Sequence, residues 1–122
     1  MRCFYRAKIV IKAYKTDEFI DFMRSFMPGF RIEKGCLAYS LYRDIEKQNT
    51  YCMVAEWQTR KTMEKHFQTH DFEVFIGAAK VLGDAFEMNI AEGKEIGDYK
   101  LDREQMCGLS IGVKQNPAKK KV

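Results

Sequence analysis

The chain has 122 residues, 46% of them apolar and 13% aromatic, with a net charge of +4. That is one domain's length with apolar content enough for a core, which excludes a disordered chain; no apolar run reaches the roughly 20 residues that span a bilayer. Residues 1–93 hold 14 Lys and Arg against 13 Asp and Glu, whereas residues 94–122 hold 7 against 4, so the body is nearly neutral and neither nucleic acid nor a membrane is its expected partner.

Residues 2–12, RCFYRAKIVIK, alternate and are rich in β-formers, which predicts a first strand. Charges scattered through that run, and the lack of a small-residue cleavage site, argue against a secretory signal and lead to a cytoplasmic expectation. Thr16 reads as an N-cap with Asp17 and Glu18 in the first helical turn. Phe19, Phe22, Met23, Phe26 and Met27 then recur at helical spacing, and Pro28-Gly29 is expected to stop or kink the helix. Strands follow at about 35–44 and 50–57 around a polar EKQN turn.

Thr59 is placed to cap a second helix carrying Met63, His66 and Phe67. A break at QTHDF lets Thr69 cap a further stretch, whose stripe is Phe72, Phe75, Ile76, Ala79 and Leu82, with Gly83 at its end. DAFEMNIAEG sets Phe86, Met88 and Ile90 against polar neighbours and reads as a fourth strand. The order β-α-β-β-α-β is the ferredoxin-like α+β arrangement, with helices over one face of an antiparallel sheet. The domain is taken as residues 1–93. Residues 94–122 form a C-terminal extension with a strand-like run, MCGLSIGV, and a basic end, NPAKKKV, read as a solvated terminus.

Neither hairpin strand alternates cleanly between apolar and polar positions, which predicts cover on both faces: helices on one side and a second subunit on the other. A homodimer is therefore expected. The four cysteines, Cys3, Cys36, Cys52 and Cys107, lack CxxC spacing and a clustered histidine, so no metal site is expected. A hairpin whose paired numbers sum to about 95 sets Cys52 opposite Arg43 and Cys36 near Thr59. The two cysteines cannot then bond, which fits reduced thiols.

The stretch RIEKGCLAYSLYRD, residues 31–44, resembles the antibiotic biosynthesis monooxygenase domain, whose R-x-E-x-G-C-L-x-Y element is met by Arg31, Glu33, Gly35, Cys36, Leu37 and Tyr39. Glu56-Trp57, then His66, Thr69 and Phe72, continue the likeness, which covers about residues 3 to 92. The resemblance implies a dimeric α+β barrel with a pocket between helices and sheet in each subunit. It also implies activities that range from cofactor-free oxidation of quinols, phenols and anthrone-like polycycles to haem degradation and isomerisation of small carbonyl compounds. Some members have no known activity, and the fold does not fix the chemistry.

The haem-degrading members carry an asparagine on the first strand, a tryptophan nine residues after the strand-end tryptophan and a haem-ligating histidine ten residues beyond. Here no asparagine precedes Asn49, His66 stands at the tryptophan's place and Ile76 at the ligand's, so haem degradation is disfavoured. Oxidation without flavin or metal needs a base that deprotonates an electron-rich substrate, and donors in a dry site for the developing anion. That assigns His66 as base or proton shuttle, with Trp57, Tyr39, His70 and Tyr51 as substrate contacts, no cofactor, and a small aromatic molecule and dioxygen as partners. Each residue also has a plainer reading: Trp57 as a core anchor, Tyr39 and Tyr51 as structural tyrosines, His66 at the solvent edge of its helix. His70 is displaced by one from the family's position because Asp71 precedes Phe72, and the inter-helix turn suits it equally. Glu56 is expected to be exposed or paired with arginine, and Arg31 and Glu33 to hold the loop before the strand. The competing expectation for the whole protein is a non-enzymatic small-molecule-binding or stress-associated dimeric barrel.

Overall fold

A computed structural model describes residues 1–93 and 103–104; the expectations for the extension, Cys107 and MCGLSIGV lie outside the described residues. The chain divides into two units, Met1–Glu92 and Gly93–Val122, and the first holds the helices and all but the last residue of the sheet. Strand β1 (Arg2–Ile11) leads through a short 3₁₀ turn at Ala13–Lys15 into helix α1 (Thr16–Arg31). Strands β2 (Cys36–Arg43) and β3 (Thr50–Trp57) follow, then helices α2 (Arg60–Phe67) and α3 (His70–Leu82) and strand β4 (Gly83–Gly93). The sheet order is β2-β3-β1-β4, the ferredoxin-like order, with β1 antiparallel to β3 and β2 antiparallel to β3.

One parity of each central strand points at the helices. Cys3, Tyr5, Ala7, Ile9 and Ile11 of β1, and Tyr51, Met53, Ala55 and Trp57 of β3, are all buried there. They meet Phe19, Met23, Met27 and Phe30 of α1, Met63 of α2, and Phe72, Phe75, Ala79 and Leu82 of α3. The other parity is uncovered within the chain. Val54 and Tyr42 are exposed, and Phe4, Val10 and Cys52 are half-buried. Cover on both faces is therefore not achieved by a single copy.

Three local expectations change. Helix α1 runs through Pro28 to Arg31, because a proline in the last turns withholds one N–H without displacing the apolar stripe that docks Met27 and Phe30. Thr16 is the first helical residue, after an N-cap at Lys15 that makes no side-chain cap bond. The hairpin pairs Tyr42 with Cys52 and Tyr39 with Ala55, one position from the expected register, and a bulge between Cys36 and Ala38 sets Cys36 opposite Trp57. Cys3, Cys36 and Cys52 are free thiols, as that pairing still requires.

Candidate functional site

Strand β1 turns Tyr5 inward, and β2 does the same for Tyr39 beside it. Their hydroxyls lie 2.9 Å apart. Helix α2 brings the third group. The Thr59 side chain accepts from the Thr62 N–H while the Thr62 hydroxyl receives the Thr59 N–H, a capping box that fixes where the helix starts. His66 then falls one turn after Met63 on the inward stripe, and both are fully buried. Its carbonyl accepts from the Thr69 N–H and hydroxyl at 3.1 and 2.8 Å, which pins the last turn of α2.

The loop before β2 supplies the fourth group. Gly35 has φ +86°, and a Cβ there would fall 2.5 Å from the Thr62 side chain; only glycine allows both the left-handed backbone and the close approach. The Gln58 N–H donates to the Gly35 carbonyl at 2.7 Å and clips the loop onto the end of β3. So held, Glu33 reaches back to His66 and sets its Oε1 2.9 Å from Nδ1, while Nε2 lies 2.9 Å from the Tyr5 hydroxyl. The result is an unbroken chain, Glu33–His66–Tyr5–Tyr39, whose three inner members are buried and whose carboxylate end is 21% exposed.

Aromatic rings wall the imidazole. Trp57 stacks on it at 4.6 Å and 29°, and Phe30 and Phe72 present edges at 4.9 Å each. The Trp57 indole N–H is buried with no hydrogen-bond partner among the described residues, an unmet donor of a kind that native cores seldom tolerate. Burial pushes the His66 pKa down to about 4, so the ring is neutral at physiological pH despite its place at a helix C-terminus. Burial, and then the charge of Asp71, push Glu33 up to about 7. The Tyr5 and Tyr39 phenols are raised by burial as well and stay protonated.

Two proton arrangements satisfy the chain. With Glu33 protonated, its hydroxyl donates to Nδ1, Nε2–H donates to Tyr5, and Tyr5 donates to Tyr39. With Glu33 ionised, every donor reverses: Nδ1–H serves the carboxylate and the Tyr5 hydroxyl serves Nε2. Because Glu33 titrates near neutrality, both arrangements are populated there. Outside the aromatic wall, a cavity of about 330 Å³ is lined by Glu33, Lys34, Lys61, Thr62, Lys65, His66 and Thr69.

Of the residues picked out by sequence, His66, Trp57 and Tyr39 come together. Tyr51 does not: it sits six positions from Trp57 on the same face of β3, roughly 20 Å away at strand spacing, against Phe19 at 5.1 Å. His70 opens α3 and is exposed. A solvent-edge place for His66 is excluded by its burial. The expected interior pocket beneath Trp57 is filled by rings, and the cavity that borders His66 opens at its Glu33 side. Glu56 is paired with Arg2 at 2.6 Å. Arg31 braces the strand through Nε to the Tyr39 carbonyl at 3.0 Å. Sequence reasoning misses Tyr5 and Glu33 as site members. The inward parity of β1 signals Tyr5, a phenol among apolar neighbours; nothing local signals the reach of Glu33 to α2.

Among the described residues no His, Cys, Asp and Glu cluster suits a metal ion, and no helix is long and apolar enough to cross a membrane. Among proteins of known sequence, YcnE of Bacillus subtilis, whose name proposes a monooxygenase, is 30% identical over 77 residues, 63% of this chain and 81% of that protein. The uncharacterised protein sll1783 of Synechocystis is 32% identical over 97 residues, 80% of this chain but 61% of the relative's own length. A Deinococcus radiodurans structure assigned to antibiotic biosynthesis monooxygenases superposes with a TM-score of 0.75 at 17% identity, covering 80% of this chain and 98% of that one. SnoaB from Streptomyces nogalater, a cofactor-independent oxygenase solved in a mutant form, gives 0.69 at 16% identity, covering 78% and 95%. At such identities the structural likeness carries the fold alone. The sequence pattern of one family spans residues 5–78, most of the sheet-and-helix unit and the whole Glu33–His66–Tyr5–Tyr39 chain: this protein belongs to the antibiotic biosynthesis monooxygenase family.

Proposed function

We propose that this protein is a cofactor-independent oxygenase that oxidises a small, electron-rich aromatic or quinol-like molecule. The observation that carries the reading is the Glu33–His66–Tyr5–Tyr39 chain, a buried hydrogen-bonded relay ending in a part-exposed carboxylate at a cavity. Dioxygen is activated by an anionic substrate, so the protein's first task is to take a proton from a phenol or an acidic C–H. Glu33, with its pKa near 7, matches that task at neutral pH. His66 shares the accepted proton by switching tautomer, which avoids forming a buried imidazolium. Trp57 keeps the ring in plane by stacking on it.

Lys34, Lys61 and Lys65 at the cavity rim favour the substrate anion and the peroxide that follows. One oxygen atom of O2 enters the product and the other leaves as water. A second copy packed on the uncovered sheet face, where Phe4, Val10, Val54 and Tyr42 lie, would complete a dimeric barrel; light scattering reads that directly.

A second reading, a non-enzymatic binder of small aromatic molecules, is favoured by the rings that fill the space around His66. Oxygen uptake with a panel of hydroquinones and phenols separates the two. The oxygenase reading expects uptake with at least one member and a loss of about 10²-fold or more in a His66→Ala variant. Silence across the panel, or unchanged turnover in that variant, overturns it.

A further inference from the structure

A cavity larger than the one beside His66, about 530 Å³, runs along α1 from Arg31 to Ile20 between that helix and the edge strand β2, within the size range of small-molecule sites. Its α1 wall is a single stripe, Ile20, Met23, Arg24, Met27 and Arg31, at the spacing that puts residues on one helical face. Its β2 wall runs from Ser40 to Arg43, and Tyr51 closes the floor from β3. Two properties separate it from ordinary surface. Met23, Met27 and Tyr51 give a buried apolar base, and methionines adapt to irregular apolar ligands. Three guanidiniums, Arg24, Arg31 and Arg43, stand around it, and no carboxylate among the described residues lines it. Arg24 and Arg43 form no ion pair among the described residues, while Arg31 is anchored through Nε to the Tyr39 carbonyl.

Cations left uncompensated around an apolar floor suit one kind of occupant: an apolar body that fills the base and an anionic head that meets the rim. We propose that the α1–β2 cleft binds a small anionic amphiphile, an aryl or alkyl carboxylate, at a site separate from the His66 relay. Arginine favours carboxylate because its planar fork presents paired donors to the two oxygens. Arg31, fixed by its backbone bond, is the preorganised member; Arg24 and Arg43 close from either wall. Tyr51, which lies too far from His66 to contact a molecule there, finds its place in this floor.

Calorimetric titration of the full chain with 2-naphthoate, and with the neutral 2-naphthalenemethanol as its twin, tests the site. Naphthoate is expected to bind at least about tenfold tighter than the alcohol, and more weakly as salt is raised. The double variant Arg24→Ala/Arg43→Ala, both positions exposed and outside the core, is expected to lose at least about tenfold in affinity, an amount that one charge-assisted pair accounts for. Lys61→Ala/Lys65→Ala, at the other cavity, should leave it unchanged. Equal binding of acid and alcohol, no binding of naphthoate up to about 1 mM, an unaffected arginine variant, or a loss confined to the lysine variant would each overturn the proposal. None of these outcomes depends on whether the protein consumes oxygen.

Discussion

The two ends of the helix-covered layer treat polar groups in opposite ways. At the Trp57 end, His66, Tyr5 and Tyr39 are buried and satisfy one another, with only the Glu33 carboxylate near water. Toward the Tyr51 end, the buried side chains that line the α1–β2 cleft, Met23, Met27 and Tyr51, are apolar apart from one phenol, and the charge is held outside on three arginines. Buried polar groups cost stability unless fully paired, so the first end keeps a costly network where an apolar core would have served. A network of that kind, built around a histidine and a carboxyl that titrates near 7, marks a place where protons are moved. The second end risks little stability and offers a rim for recognition.

The sharpest way to break the contrast is to remove its centre. Trp57→Ala deletes a fully buried ring against His66 and is expected to cost about 3–5 kcal/mol in urea unfolding, whereas Ile45→Ala, 95% exposed in the turn between β2 and β3, should stay within about 0.5 kcal/mol. Gly35→Ala comes next: a left-handed backbone and an overlap with Thr62 predict a loss of about 2–4 kcal/mol, together with release of Glu33 from His66, visible as a fall of the Glu33 pKa toward its ordinary value in carboxyl NMR. Tyr5→Phe keeps the packing but strands the His66 Nε2, for about 1–3 kcal/mol.

A further effect is in pH. The Glu33 pKa is raised from 4.5 to about 7 on folding, so its contribution is full below 4.5 and is lost as pH rises toward 7. The His66 pKa is lowered from 6.5 to about 4, so its contribution is present above 6.5 and is lost as pH falls toward 4. Between 4.5 and 6.5 the two slopes oppose each other. Glu33→Gln removes one of them, and unfolding curves across that window should show the wild type's advantage over the variant shrinking as pH rises.

Much of this architecture is legible because it rests on periodicity. The inward stripe of α1, the Thr59 and Thr69 caps and the presence of β4 follow from local chemistry, although Phe86 and Ile90 of that strand are exposed. Pro28 misleads because tertiary docking of Met27 and Phe30 outweighs a helix breaker in the last turns. The register beside the turn, with Tyr42 opposite Cys52, differs by one position from the expected pairing, and a bulge with no local mark at Cys36-Leu37-Ala38 shifts it by one more at Trp57. His66, Trp57 and Tyr39 are found through residue type and spacing. Glu33 and Tyr5 are not, because their roles come from contacts 33 and 61 positions away in sequence, which no local pattern encodes.

The central claim is that the buried chain reverses its hydrogen bonds when Glu33 titrates, with the imidazole neutral throughout. Nitrogen-15 NMR of His66 between about pH 5 and 9, a window that brackets the carboxyl's titration, reads this directly. The expected result is a neutral ring at every pH, with the proton on Nε2 at low pH and moving to Nδ1 as pH passes about 7, and no such exchange in Glu33→Gln. An imidazolium signal at about pH 6, where a free histidine would be mostly charged, or a single tautomer across the range, would contradict the account.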